Sequence, residues 1–224
     1  MITLIKLISI LLLTNSIGYS QYNDSIIYIK NGSFEGLPNC CRLPEGWVDC
    51  GWRNETPPDI QPASKGEKPF FGVIDSAFNG NTYLGMVVRQ NNSYERVSQK
   101  LEKVLEEGKC YSFSIYLMRS EEYSSPVGPD YINVKPFTTP TILRIWGGNS
   151  YCHNLEFLAE SNIVKETEWT LYEFNFAPKN DLQYLHLEAF YDPTESNPYN
   201  GNILLDNASD IKLIPCEKHK KKRK

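Results

Sequence analysis

The stretch Gly201-Asn202-Ile203-Leu204-Leu205-Asp206-Asn207-Ala208-Ser209-Asp210-Ile211-Lys212-Leu213-Ile214 decides how this chain is read. An apolar run ends in an acid–amide pair, Asp206-Asn207, and a second apolar run starts at Ile211. Short apolar runs next to turn formers are strand material. The stretch reads as the closing strand of a sheet. Its counterpart near the front is Asn31-Gly32-Ser33-Phe34-Glu35, followed by Pro44-Glu45-Gly46-Trp47. The two ends are expected to pair and close one β-sandwich.

Working inward, Cys110 to Leu117 is the clearest strand: Tyr111, Phe113, Ile115 and Leu117 alternate with Ser112, Ser114 and Tyr116. Thr82–Arg89, Thr141–Trp146, Trp169–Phe176 and Tyr184–Tyr191 follow the same logic, and Ser25–Lys30 is a short apolar strand. Glu95–Gly108 is ambiguous, because Val97, Leu101, Val104 and Leu105 also have helical spacing. A strand through Leu101 followed by a turn or helical turn is expected there. Roughly nine strands with turns between them predict an all-β, antiparallel sandwich of the jelly-roll kind. Two long loops, Leu37–Ser64 and Glu121–Pro140, interrupt the pattern, and the first is rich in proline, cysteine and tryptophan.

Residues 1–20 stand apart. One positive charge, the apolar Leu7–Leu13 core and a small-residue exit ending at Ser20 form a secretory signal peptide. The apolar run is too short for a bilayer span, and the mature chain has no other candidate. The domain is therefore expected over 21–216, secreted or at the cell surface. The net charge is −4, although residues 217–224 alone carry six positive charges. The acidic body argues against nucleic acid as a partner. The basic segment reads as a disordered tail that could contact an anionic envelope surface.

Export makes the six cysteines, Cys40, Cys41, Cys50, Cys110, Cys152 and Cys216, candidate disulfide partners. Cys40 and Cys41 are adjacent, and bridging them to each other would be strained. The most local bridge joins Cys50 to Cys40 or Cys41. Cys216 is expected to bond back to Cys110, at the head of the clearest strand. Without a CxxC pair, thiol ligation of zinc is disfavoured.

No GxSxG, HExxH or phosphate-cradling glycine loop is present, which argues against an enzyme. The surface pattern points instead to a binding module. Sugars are held by aromatic faces combined with planar hydrogen-bonding groups. The sheet face opposite the core would offer Tyr116, Arg144, Trp146, His186 and Glu188, with Arg89 nearby if its strand aligns. Trp52 or Tyr191 could line one end. An ordinary outer face with cross-strand pairs is the competing reading. Trp47 is expected to cap the core.

The ordered pieces NGSFE with Gly46-Trp47, TYLGM (Thr82–Met86), VSQKL with GKCYSFSIYL (Val97–Leu117), WTLYEFNF (Trp169–Phe176) and GNILLDNAS (Gly201–Ser209) resemble jelly-roll carbohydrate-binding modules and galactose-binding-like domains of exported bacterial envelope proteins. The resemblance spans nearly all of the mature chain. It implies a non-catalytic module that recognises a polysaccharide or glycan. It also implies one structural calcium where an acidic residue of the first strand meets the Asp of the last, here Glu35 and Asp206. An Asx turn at Asp206 with a solvated Glu35 is the alternative. The competing function is a structural or adhesion protein of the cell envelope, and a secreted hydrolase is the third.

Overall fold

The computed structural model describes residues 25–62, 70–127 and 133–216. The expected signal peptide and basic tail lie outside them. The described residues form an all-β, antiparallel sandwich of two sheets, with no helix among them.

The stretch 201–214 runs through the middle of the larger sheet rather than along an edge. Its two halves, β14 (Gly201–Asp206) and β15 (Ile211–Ile214), line one edge of β7 (Cys110–Met118), with Asp206 opposite Tyr116 and Lys212 opposite Ser112. Six steps along this stretch thus match four along β7. The surplus forms a bulge at 207–210, where Asn207 takes φ +48°. Ser209 steadies it: its N–H donates to Ser114 O, and its hydroxyl accepts from Ser114 N–H. Along its other edge the stretch meets β4 (Thr82–Arg89) and β1 (Ile26–Ile27). Front and back of the chain therefore pair. Gly32 lies at that junction: Ala208 N–H donates to its carbonyl at 2.8 Å, and a Cβ would stand 2.2 Å from Ala208 O.

β12 (Thr170–Phe176) takes the other edge of β7, while β3 (Asp59–Pro62) and β5 (Ser93–Tyr94) share the outer edge of β4. The facing sheet has the order β11 (Glu156–Glu160), β10 (Ile142–Gly148), β13 (Leu182–Phe190), β6 (Arg96–Leu105), β2 (Val48–Asp49). Between the sheets Met86, Phe113, Ile115, Leu117, Ile203 and Leu205 meet Val97, Leu101, Leu143, Ile145, Leu185 and Leu187. Trp47 caps this core against Phe34, with ring centroids 5.2 Å apart, and its indole N–H donates to Asn31 O.

A second apolar cluster covers the opposite face of the larger sheet, where Tyr83, Val87, Met118 and Leu204 pack under Val73, Tyr123 and Phe137. Burial on both faces explains why TYLGMVVR and ILL read as unbroken apolar runs. Both long loops contain short strands. The first holds β2 and β3, and the second forms the hairpin β8 (Ser124–Val127) with β9 (Asn133–Pro136).

Two expectations need correction. β6 continues as a strand to Leu105 and has no helical turn. Its inward positions run 97, 99, 101, 103, 105, and two of them are polar, which hid the period of two. Inward Gln99 is satisfied because its amide brackets the Lys30 backbone, accepting from its N–H and donating to its carbonyl, both at 2.7 Å. The local bridge from Cys50 to Cys40 or Cys41 is also absent. Cys50 pairs with Cys152 and Cys110 with Cys216, while Cys40 and Cys41 stay free. Cys50 leaves β2 beside β6 and bonds to the β10–β11 turn, 102 residues further along the chain.

Candidate functional site

β10 and β13 build the outer face of the five-stranded sheet. Inward Leu143 and Ile145 put Arg144 and Trp146 outside, where they pair with Glu188 and His186 on β13. β6 adds Arg96 opposite Glu188 and Ser98 opposite His186. Four predicted site residues, Arg144, Trp146, His186 and Glu188, therefore share this face.

They divide into a buried base and a half-exposed top. Glu188 is 2% exposed and accepts from Trp146 Nε1 (3.0 Å), Asn154 Nδ2 (3.3 Å) and Arg96 Nη1 (3.4 Å). Burial raises its pKa, and these donors counter the rise. Its role is to orient three side chains. His186 is sealed: Nε2–H donates to His153 O at 3.1 Å, so neutral Nδ1 accepts from Ser98 Oγ at 2.8 Å. Burial lowers its pKa to about 4, which keeps the ring uncharged. Ser98 and His186 touch as a nucleophile and base would, but both are fully buried. The cover is the turn at 149–155, tied by Cys152 to Cys50.

The exposed part is a row of aromatic rings with one cation over it. The Arg144 guanidinium lies 3.6 Å above the Phe190 ring, and its Nε donates to Glu160 Oε2 at 3.1 Å. Phe190 meets Tyr94 edge to face, and Tyr94 meets Trp52, which is 49% exposed. On the other side of Arg144, half-buried Trp146 packs edge to face on exposed Phe157. Phe190, Tyr94, Phe157, Arg96 and Asn154 were not among the sequence candidates. Alternation along Tyr184–Tyr191 could have found Phe190, because it shares the parity of His186 and Glu188. Tyr94 lies on a two-residue strand that shows no period.

Three predicted residues lie elsewhere. Tyr116 is on the other sheet, stacked on Phe78. Arg89 ends β4 in that sheet, between Glu55 and Glu95. Tyr191 is buried, with its hydroxyl between the carbonyls of Arg89 and Ser93. Alternation separates inside from outside but does not assign a strand to a sheet.

Glu35 and Asp206 meet on one turn. Asp206 Oδ2 accepts from Phe78 and Asn79 N–H, and Glu35 Oε1 from Asn81 and Thr82 N–H. Burial, reinforced by Glu35, raises Asp206 to about 6 against its hydrogen bonds. Carboxylate oxygens are the ligand type of a hard cation, although Asp206 Oδ1 also accepts from Asn207 N–H at 2.6 Å, so backbone N–H groups occupy both of its oxygens. Two like charges share the turn, and Glu35 Oε2 receives no hydrogen bond among the described residues. Among the described residues no group of three or more His, Cys, Asp or Glu is placed to hold a metal ion.

No protein-family model matches the chain, and no curated protein matches it. Solved structures similar to it include the CBM22-1 xylan-binding domain of Paenibacillus barcinonensis Xyn10C (16% identity, TM-score 0.47, 86% of this chain and 97% of that one). The enzymatically active domain of bacteriophage CBA120 tailspike protein 4 has 12% identity and TM-score 0.47, over 83% of this chain and 21% of that one. A family 16 carbohydrate-binding module has 14% identity and TM-score 0.41, over 81% and 97%.

Proposed function

We propose that this protein is an exported, non-catalytic carbohydrate-binding module whose glycan platform is the outer face of the five-stranded sheet. The supporting observation is the row Trp52, Tyr94, Phe190, Arg144, Trp146 and Phe157, in which aromatic surface and hydrogen-bonding groups sit side by side. Sugar rings offer apolar C–H faces to aromatic surfaces and hydroxyl rims to planar polar groups. Glu188 holds Trp146 and Arg96, Asn154 in turn holds Glu188, and Glu160 holds Arg144, so little ordering is left for the moment of binding. In affinity electrophoresis across neutral polysaccharides, at least one should retard the protein. Trp146→Ala and Arg144→Ala should each weaken that retardation about tenfold or more, on the scale of a lost aromatic or cation contact. Unchanged retardation in both variants would move the site off this face.

A structural calcium belongs to the same reading, with Glu35 and Asp206 supplying the carboxylates and the cation offsetting their mutual repulsion. Contact between the basic tail and an anionic envelope surface is the companion proposal. Cell fractionation with and without residues 218–224 tests it, and unchanged release into the medium counts against it.

A further inference from the structure

A cleft of about 700 Å³ lies between the first long loop, the β4–β5 turn and the β8–β9 hairpin and shares no lining residue with the aromatic row. That volume falls within the range of small-molecule sites. Its lining is unusually rich in carboxamides. Asn54, Gln90 and Asn133 line it, and their side chains make no hydrogen bond among the described residues. Phe71 also lines it, and its ring is held parallel to Tyr123 at a centroid distance of 5.6 Å.

The charges around the cleft narrow the ligand class. Among the described residues Arg89 is the one cation lining it, and it is compensated twice, by Glu55 at 3.3 Å and by Glu95. A further acid lies behind: Asp59, whose Oδ2 accepts from Tyr123 O–H at 2.6 Å and whose Oδ1 accepts from Cys41 N–H at 3.1 Å. Among the described lining residues, an anion would meet no net positive charge. Arg89 Nη1 has no acceptor among the described residues, and a buried donor in that state calls for a partner such as water or a ligand hydroxyl. Free carboxamides, a fixed aromatic ring and an uncompensated N–H form a binding set for a neutral polyhydroxylated molecule.

We infer that this cleft is a second saccharide site, separate from the sheet-face platform, which takes the end of a short, neutral oligosaccharide. A platform reads the middle of a chain, whereas a cleft closed on several sides takes a terminus. One module could then hold a polymer at two points, or hold two chains.

The test is a titration of the ¹⁵N-labelled full chain with cellotriose, xylotriose and mannotriose, and with trigalacturonic acid as the charged control. Side-chain NH₂ signals report the cleft, and the indole N–H signals of Trp52 and Trp146 report the platform. The expected result is saturable movement of the Asn54, Gln90 and Asn133 signals with at least one neutral trisaccharide and none with trigalacturonate. Gln90→Ala combined with Asn133→Ala, both at exposed positions, should weaken that binding about tenfold while the indole response persists. Movement of the indole signals alone overturns the cleft proposal and leaves the platform standing. Movement of the carboxamide signals alone does the reverse. Silence from both sets with every probe overturns both readings, and a preference for trigalacturonate overturns the neutral ligand class.

Discussion

At the scale of single residues, Gly32 and Asp206 show how the ends of the chain are joined. Gly32→Ala would drive a methyl group into Ala208 O, so the front segment would have to move off the central strand. A destabilisation of about 2–4 kcal/mol, on the scale of overpacking plus a lost buried hydrogen bond, should appear in chemical denaturation. Asp206 adds a pH signature. Its pKa in the fold, about 6, exceeds its unfolded value, so its contribution is complete below that lower value and is lost as pH rises through about 6. With chelator present, Tm should therefore fall from about pH 4 to pH 7, and Asp206→Asn should flatten part of the fall. Adding calcium at pH 7 should raise the native Tm and leave Asp206→Asn unmoved. No calcium response would leave the two acids as turn caps only.

Among the elements, the β10–β11 turn decides what the platform shows. Cys50 and Cys152 stand 102 residues apart in sequence and clamp this turn over His186. Replacing both with Ser should cost about 3–5 kcal/mol by the loop-closure estimate for a ring of this size. It should also let water reach His186, so that its NMR-measured pKa climbs from about 4 towards the ordinary histidine range. If His186 keeps its depressed pKa without the bridge, packing alone holds the cover. Gly148 belongs to the same closure, since a Cβ there would stand 2.2 Å from His153 O and 2.5 Å from His186 Nε2. None of this is legible in TILRIWGG, where Gly147-Gly148 simply looks like the end of a strand.

For the whole molecule, buried ionisable groups set how stability depends on pH. Burial raises Asp59 to about 6, and it raises Glu95 in spite of the Arg89 contact. Their stabilising contribution is complete below the ordinary carboxylate range and declines as pH climbs through their raised values. His186 acts in the opposite sense: its depressed pKa makes its contribution complete above about 6.5 and lost as pH falls through about 4. Between about pH 4 and 7 the three raised acids, Asp59, Glu95 and Asp206, outweigh the one depressed histidine, so with chelator present Tm should decline as pH climbs across that span. A Tm that climbs steadily to pH 8 would contradict the burial of these acids. Glu95→Gln should reduce the decline, provided the variant keeps its Val87 and Arg89 contacts.

The fold class, the inner and outer faces of the long strands, the meeting of the chain's two ends and the Trp47 cap of the core are all legible in the residues alone. Each follows from local chemistry: alternation with a period of two, turn formers and apolar run length. The sequence brought Arg144, Trp146, His186 and Glu188 together because they share parity on two strands that happen to be neighbours. Only the tertiary structure decided that Tyr116 and Arg89 belong to the opposite sheet, because parity carries no information about sheet membership. It alone paired Cys50 with Cys152, buried two of the four face residues under a tethered turn, and gathered Asn54, Gln90 and Asn133 from three distant segments into one cleft. Those are long-range contacts, set by how the loops pack on the finished sandwich, and no short window of sequence contains them.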